Sequence, residues 1–178
     1  MIANHPSLKL FFALWPDAPT RDALARLQAP VAGRHTPHDK LHLTMAFLGQ
    51  QPVDALPDLL DILESVPVSP MRLIVDCYGY FTRPRIAWAG MTAPPPELLA
   101  MQADLIARLE AAGFSTATHG AFKPHITLAR EARGAPPDEV AAPVVWDVRE
   151  LVLVESVTAT GRYRPIDRSH PAELGAPI

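Results

Sequence analysis

Two short segments with the same order of residue types contain the side chains best suited to chemistry. Residues 40–46 read Lys-Leu-His-Leu-Thr-Met-Ala and residues 123–129 read Lys-Pro-His-Ile-Thr-Leu-Ala, so the copies lie 83 positions apart. Because alternate side chains of a strand point to the same side, we expect His42 and Thr44 to share a polar face. The aliphatic residues between them then face the core, and the second copy has the same alternation.

If a pseudo-twofold axis relates the two copies, their polar faces meet across one cleft, which suits phosphoester hydrolysis. This reaction needs one group that takes a proton from the attacking water and another that protonates the leaving oxygen. Imidazole titrates near neutrality, so His42 and His125 can divide these tasks. The hydroxyls of Thr44 and Thr127 can donate to the non-bridging phosphate oxygens, where charge gathers in the transition state. This chemistry requires no metal.

The elements that must position these segments follow the same order in both halves of the chain. Apolar periodicity predicts a strand, a helix, a strand, a connection and a further strand in each half. In the first half we predict strands at 8–15, 41–48 and 71–80, helices at 17–30 and 56–63, and a loop at 33–39. In the second half we predict strands at 85–91, 123–130, 148–158 and 161–166, a helix at 94–112 and a proline-rich loop at 134–143. This order fits both a parallel α/β fold and an α+β sheet assembly, and the pattern leaves both open.

Composition narrows the class of protein and of substrate. A chain of 178 residues suits one domain, or two small lobes that share a core. Its net charge is −3 and it has no basic stripe, so any nucleic acid is expected to be held at one end and not along a duplex. Cys77 is the only cysteine, which excludes an internal disulfide and favours a cytoplasmic location. His35 and His38 are expected to lie in a solvated loop, since no Cys or acidic pattern accompanies them to form a metal site.

The two motifs resemble those of a known superfamily. The His-Leu-Thr of residues 42–44 and the His-Ile-Thr of residues 125–127 are similar to the paired His-x-Thr motifs of the 2H phosphoesterases. The closer resemblance is to the bacterial RNA 2′,3′-cyclic phosphodiesterases, historically called 2′-5′ RNA ligases. It includes the segments Leu-Phe-Phe-Ala-Leu-Trp-Pro at 10–16 and Phe-Leu-Gly at 47–49, and extends over about residues 8–166.

The resemblance implies a single domain over residues 1–178 with a bilobal, pseudo-twofold α+β fold. Each lobe is expected to contain an antiparallel sheet with helices outside, and the lobes to enclose a central cleft. The implied reaction is hydrolysis of a terminal 2′,3′-cyclic phosphate of RNA to a 2′-phosphate, without metal or other cofactor. The end of the chain departs from the family's aromatic-rich closing strand, because Tyr163 is followed by Arg-Pro-Ile.

The resemblance also implies roles for individual residues. His42 is expected to protonate the leaving O3′, and His125 to activate the water. The residues expected to bind the phosphate are Thr44, Thr127 and Arg130. The rings expected to stack on the terminal base are Phe47 and Phe11.

Three other functions stay open at this point. The same site suits 2′-5′ linked oligonucleotides or small cyclic nucleotides, because the motifs contact phosphate and not base. Reversible RNA ligation would run the hydrolysis backwards, and no Gly-rich phosphate loop indicates use of ATP. A non-catalytic binder of RNA ends is disfavoured, since binding alone does not need two proton-transfer groups. We expect a monomer that acts on RNA ends, short oligonucleotides or nucleotides and does not associate with membranes.

Overall fold

The computed structural model describes residues 6–116 and 120–170. In them, strands and helices follow the predicted order, with two additional strands, one short and one of ten residues. The strands are β1 (Ser7–Leu14), β2 (Arg34–His35), β3 (Leu43–Pro52), β4 (Met71–Thr82), β5 (Arg85–Gly90), β6 (His125–Arg130), β7 (Glu139–Val148), β8 (Val152–Val157) and β9 (Arg162–Arg168). The helices are α1 (Ala18–Arg26), α2 (Leu56–Ser65) and α3 (Pro96–Ala111). None of these helices is long and apolar enough to cross a bilayer.

The sheet consists of two antiparallel halves that meet at one residue pair. Its order is β7-β4-β5-β6-β3-β1-β8-β9, with β2 added beside β6. Leu43 of β3 and Ile126 of β6 form the only pair between the two halves among the described residues. These residues occupy the same place in the two sequence motifs, so the pseudo-twofold axis passes between them. The predicted α+β class, with antiparallel sheets related by pseudo-symmetry, is confirmed.

The two halves of the chain exchange a strand. The first strand of each half, β1 or β5, pairs with the motif strand of the same half, β3 or β6. A later strand of each half crosses over, so that β4 of the first half pairs with β5 and β8 of the second half pairs with β1. Each half-sheet therefore contains strands from both halves of the sequence, which holds the two motif strands in one framework.

The helices and the cleft lie on opposite faces of the sheet. The apolar faces of all three helices join one core cluster with sheet residues such as Leu10, Leu43 and Ile126. Residues of the opposite face of β1 and β8, including Phe11 and Val154, form a smaller cluster with Trp15 and Tyr163. This second cluster lies beneath the predicted site.

Several predicted elements were wrong in their position. The segment 134–143, predicted to be a loop, contains the start of β7, and the strand predicted from residue 148 begins at Val152. Proline disfavours a central strand, but β7 is an edge strand and its pairing with β4 shifts between Val75 and Cys77, which accommodates Pro143. The loop predicted at 33–39 contains β2. The chain after Tyr163 closes the fold by pairing β9 with β8.

Candidate active site

Both motif histidines line one open cleft of about 620 Å³ at the junction of the two half-sheets. Every residue predicted from the sequence to belong to the site also lines it, and these are Phe11, His42, Thr44, Phe47, His125, Thr127 and Arg130. The cleft lies where the pseudo-twofold axis crosses the sheet, so each motif contributes one wall.

A β-bulge in each motif strand brings a third side chain onto the cleft face. In β3, Thr44 lies opposite Ala13 and Ala46 lies opposite Phe12, so Met45 is an extra residue. The same shift in β6 makes Leu128 the extra residue. An extra residue reverses the alternation of side chains beyond it. Phe47 and Arg130, which strict alternation would direct toward the helices, therefore face the cleft together with the His and Thr of their motifs.

Two buried glutamines hold the bulges in place. Gln28, which follows α1, donates from Nε2 to the carbonyl of Leu128 at 2.9 Å, and Gln102 of α3 donates to the carbonyl of Met45 at 3.4 Å. Their exposed fractions are only 8% and 7%. Each half of the chain thus supports the bulge of the other half. Neither glutamine was predicted from the sequence, although Gln102 interrupts the apolar stripe of its helix and so gave a signal.

His42 is enclosed by aromatic rings and oriented by the backbone. Its Nδ1 lies 2.6 Å from the carbonyl oxygen of Lys40, which can only accept, so Nδ1 carries a proton. In the neutral ring Nε2 then accepts from the hydroxyl of Thr44 at 2.9 Å. The rings of Phe11, Trp15 and Tyr163 have centroids within 5.8 Å of the imidazole.

The electrostatic surroundings of His42 favour its neutral form. Burial lowers its pKa to about 4, and the positive charges of Arg21 and Arg130 act in the same direction. The hydrogen bond to Lys40 opposes this shift in pKa but does not cancel it.

His125 has the same backbone contact in a different setting. Its Nδ1 donates to the carbonyl of Lys123 at 2.8 Å, and Phe81 and Trp88 lie beside its ring. Trp88 crosses Gly79, where a Cβ would come within 1.9 Å of the indole, so this position requires glycine. Burial lowers the pKa of His125, and the charges of Lys123 and Arg130 lower it further. No hydrogen bond from another described residue occupies its Nε2.

Positive charge is concentrated in the cleft although the chain is acidic overall. The described residues that line it include no carboxylate and four cations, which are Lys9, Arg34, Lys40 and Arg130. Such a cleft attracts anions. Among the described residues no group of three or more His, Cys, Asp or Glu side chains could hold a metal ion.

The other two histidines that the sequence placed in a solvated loop differ from each other. His38 is exposed and lies 2.7 Å from Asp22, outside the cleft. His35 is exposed but belongs to β2, where it pairs with Ala129 and lines the cleft, so its assignment to a loop was wrong. Its Nε2 contacts the carbonyl of Val31 at 2.7 Å.

Comparison with known proteins gives consistent matches along most of the chain. The family model for the 2′-5′ RNA ligase superfamily matches residues 15–160. The RNA 2′,3′-cyclic phosphodiesterase of Escherichia coli K12 is 33% identical over 171 residues, which cover 90% of this chain and 94% of that protein. The Thermus thermophilus protein of the same name is 31% identical, with 84% and 82% covered. The crystal structure of E. coli LigT complexed with 3′-AMP has a TM-score of 0.84 at 30% identity and covers 94% of this chain and 100% of that one.

Proposed function

The chain belongs to the 2′-5′ RNA ligase superfamily, and from this membership and its paired histidines we propose that it hydrolyses the terminal 2′,3′-cyclic phosphate of RNA to a 2′-phosphate. The observation that carries the proposal is the pair of imidazoles in one cleft, each with Nδ1 bound to a backbone carbonyl two residues earlier. Because Nδ1 is held by the backbone, Nε2 is the nitrogen of each ring that can transfer a proton, and in His42 this nitrogen also contacts the hydroxyl of Thr44. Two such groups are what hydrolysis without a metal requires.

The proposed reaction breaks the bond from phosphorus to O3′. A water attacks phosphorus and gives a proton to one histidine, while the other histidine donates a proton to O3′ as it leaves. The hydroxyls of Thr44 and Thr127 and the guanidinium of Arg130 stabilise the negative charge on the non-bridging oxygens. The 2′-phosphate remains on the ribose.

We propose His125 as the base and His42 as the acid, as the resemblance implies. His125 supports this assignment because its Nε2 is open to a water molecule, whereas Nε2 of His42 already contacts Thr44. In the free protein burial keeps the pKa of His42 at about 4, so this ring must gain its proton with the substrate. The negative charge of the cyclic phosphate raises the pKa of both histidines, which favours the protonated form of His42 that an acid needs.

The two rings expected to stack on the terminal base differ in their exposure to solvent. Phe47 is 40% exposed at the edge of the cleft and has Lys9 above its ring. Phe11 is 3% exposed and packs against His42 and Tyr163. We therefore propose Phe47 as the stacking ring, and Phe11 as a support for His42 at the floor of the cleft.

The deciding experiment is incubation with an RNA that ends in a 2′,3′-cyclic phosphate, with EDTA present, followed by ³¹P NMR of the product. We expect a 2′-phosphate at a rate that EDTA does not change. A 3′-phosphate would reverse the proposed leaving group. Inactivity restored by a divalent ion would refute the metal-free mechanism, and binding without turnover would leave a non-catalytic binder of RNA ends.

Substrate range, location and assembly are separate predictions. A 2′-5′ linked oligonucleotide and a small cyclic nucleotide serve as competing substrates in the same assay. A cytoplasmic monomer is expected, and gel filtration combined with light scattering measures the oligomeric state.

A further inference from the structure

We propose that Arg34 forms a second anion subsite beside Arg130, which binds the phosphate preceding the terminal nucleotide. The inference rests on the proposed function and makes it more specific, because an oligonucleotide with a 2′,3′-cyclic end then becomes a better substrate than a cyclic mononucleotide. Arg34 lies outside both sequence motifs.

The pairing of β2 with β6 places the two arginines directly opposite each other. Arg34 is the register partner of Arg130, and both side chains line the cleft. Opposite residues of an antiparallel pair have Cα atoms about 4.5–5.5 Å apart. Like charges at such positions destabilise the pairing unless an anion neutralises them. The position therefore suits a second phosphate, bound by Arg34 next to the one that Arg130 contacts.

The strand that carries Arg34 is firmly attached to the motif strand. Thr36 donates from its backbone N–H to the carbonyl of Leu128 and from Oγ1 to the carbonyl of Thr127, each at 2.8 Å. Gln28 bonds the carbonyls of both Thr36 and Leu128, so it ties β2 to the bulge that orients Arg130. The separation of the two arginines is consequently set by the fold and not by a loose loop.

Without a bound phosphate, Arg34 forms an ion pair with a carboxylate. Nη2 of Arg34 lies 3.3 Å from Oε1 of Glu131, and both side chains are about two-thirds exposed, at 66% and 67%. An exposed ion pair of this kind contributes little to stability. A phosphate that enters the cleft can therefore replace Glu131 at low cost, since Glu131 does not line the cleft itself.

The asymmetry of the cleft assigns this subsite to the preceding phosphate and not to the reacting one. The charge of Arg130 lowers the pKa of both histidines, so its guanidinium acts on the catalytic centre. Arg34 lies one strand further out. On the other side of the pseudo-twofold axis the exposed Phe47 offers a surface for the base. A nucleotide with its base on Phe47 and its cyclic phosphate between the histidines and Arg130 leaves Arg34 for the chain's next phosphate.

Three substrates test the subsite with the intact protein. They are adenosine 2′,3′-cyclic phosphate, the adenosine dinucleotide with a 2′,3′-cyclic end, and the same dinucleotide with an uncharged methylphosphonate linkage. We expect kcat/KM for the charged dinucleotide to exceed that for the uncharged one about tenfold, as one exposed charge-assisted hydrogen bond provides. The slopes of log kcat/KM against log salt should differ by about 0.7, the value for one single-strand phosphate contact.

Matched variants test whether the preference for the charged dinucleotide depends on the side chain of Arg34. In Arg34→Gln the ratio of the two dinucleotide rates should fall to near one, whereas Glu131→Gln should raise it by freeing Arg34. Arg72→Gln removes an exposed arginine paired with Asp147 on a distant edge of the sheet and should leave the ratio unchanged. The ratio is internal to each variant, so a partial loss of folded protein cancels.

The failures of the two proposals are distinguishable. Equal rates on both dinucleotides, or a preference that persists in Arg34→Gln, would overturn the subsite and leave the phosphodiesterase intact. No turnover of any of the three substrates would instead overturn the proposed function.

Discussion

The two histidines that we propose to be catalytic occupy equivalent positions in the duplicated motifs but have different surroundings. His42 is enclosed by three aromatic rings and its Nε2 contacts Thr44, whereas His125 is flanked by two rings and its Nε2 is open. Burial lowers the pKa of both, and that of His42 falls to about 4. In the mechanism that we propose, the duplication provides two similar proton-transfer groups, and the unequal packing around them provides the difference that an acid and a base need.

The residues that follow His and Thr on each wall of the cleft, Phe47 and Arg130, differ in chemical type. The bulges bring Phe47 and Arg130 to equivalent places, but one is an exposed apolar ring and the other is a cation. A symmetric cleft would accept a substrate in two orientations. With an apolar surface on one side and positive charge on the other, the substrate that we propose is expected to bind in a single orientation of base and phosphate.

Replacing each histidine in turn tests the difference between them and is expected to have the largest effect on activity. His42→Ala and His125→Ala should each lower kcat about 10⁴-fold, the upper end of the range for general acid–base catalysis. A substrate whose leaving group is much better than a ribose oxygen should restore much of the rate in His42→Ala, since the acid is then dispensable. His125→Ala should remain slow with that substrate.

The control for this experiment is His38→Ala, because His38 is exposed and lies outside the cleft. It should retain wild-type rates with both substrates. Recovery in the His125 variant instead of the His42 variant would show that the roles are reversed, and recovery in neither would indicate that both rings mainly bind the phosphate.

The threonines provide the next largest effect. Thr44→Val and Thr127→Val should each lower kcat about 10²-fold, which is the lower range for loss of one donor to developing negative charge. Thr44→Val should have the larger effect because Thr44 also contacts Nε2 of His42. Steady-state rates at saturating substrate measure kcat for each threonine variant. A threonine variant as inactive as the histidine variants would contradict a role limited to phosphate contact.

The sequence predicted the site far better than the elements that shape it. The two motifs placed His42 and His125 in one cleft because strand alternation and duplication are both visible in residue types. The bulges at Met45 and Leu128 are not visible, since they arise from pairing with β1 and β5, and they alone explain why Phe47 and Arg130 face the cleft. The pairing of β2 was missed because two residues give no periodicity, and β7 was missed because Pro143 is typical of a loop.

The unequal burial of the histidines should also appear in the free energy of unfolding. A folded-state pKa of about 4 against an ordinary value of 6.5 means that between these pH values the unfolded chain binds more protons at His42. Stability at this site therefore rises with pH through that window and is lost as the pH falls. Between pH 7 and pH 5, wild type should lose about 2 kcal/mol relative to His42→Gln.

Urea unfolding of both proteins at several pH values between 5 and 7 measures this difference. His125→Gln should show a smaller change of the same sign, because its surroundings are more open. Equal changes for the two variants would contradict the difference in burial, and no change for His42 would mean that its ring is protonated in the folded protein at pH 5.

The smallest expected effect concerns the glutamines that support the two bulges. Gln28→Leu removes the donor to the carbonyl of Leu128 and should loosen Arg130, while Gln102→Leu does the same to Met45 and Phe47. We expect kcat/KM to fall about fivefold in each, because an unpaired buried carbonyl costs roughly 1–3 kcal/mol. The loss should be small beside that of the histidine variants, since the histidines keep their own backbone contacts. Gln28→Leu should have the larger effect, since the hydrogen bond of Gln28 is shorter and Gln28 also bonds Thr36.

The two glutamine variants should differ in substrate selectivity as well. Gln28→Leu should reduce the preference for a charged linkage, as loss of an arginine does, and Gln102→Leu should reduce discrimination between bases at the cyclic end. If both variants instead lost kcat and retained selectivity, the bulges would act on the histidines and not on the third residue of each wall.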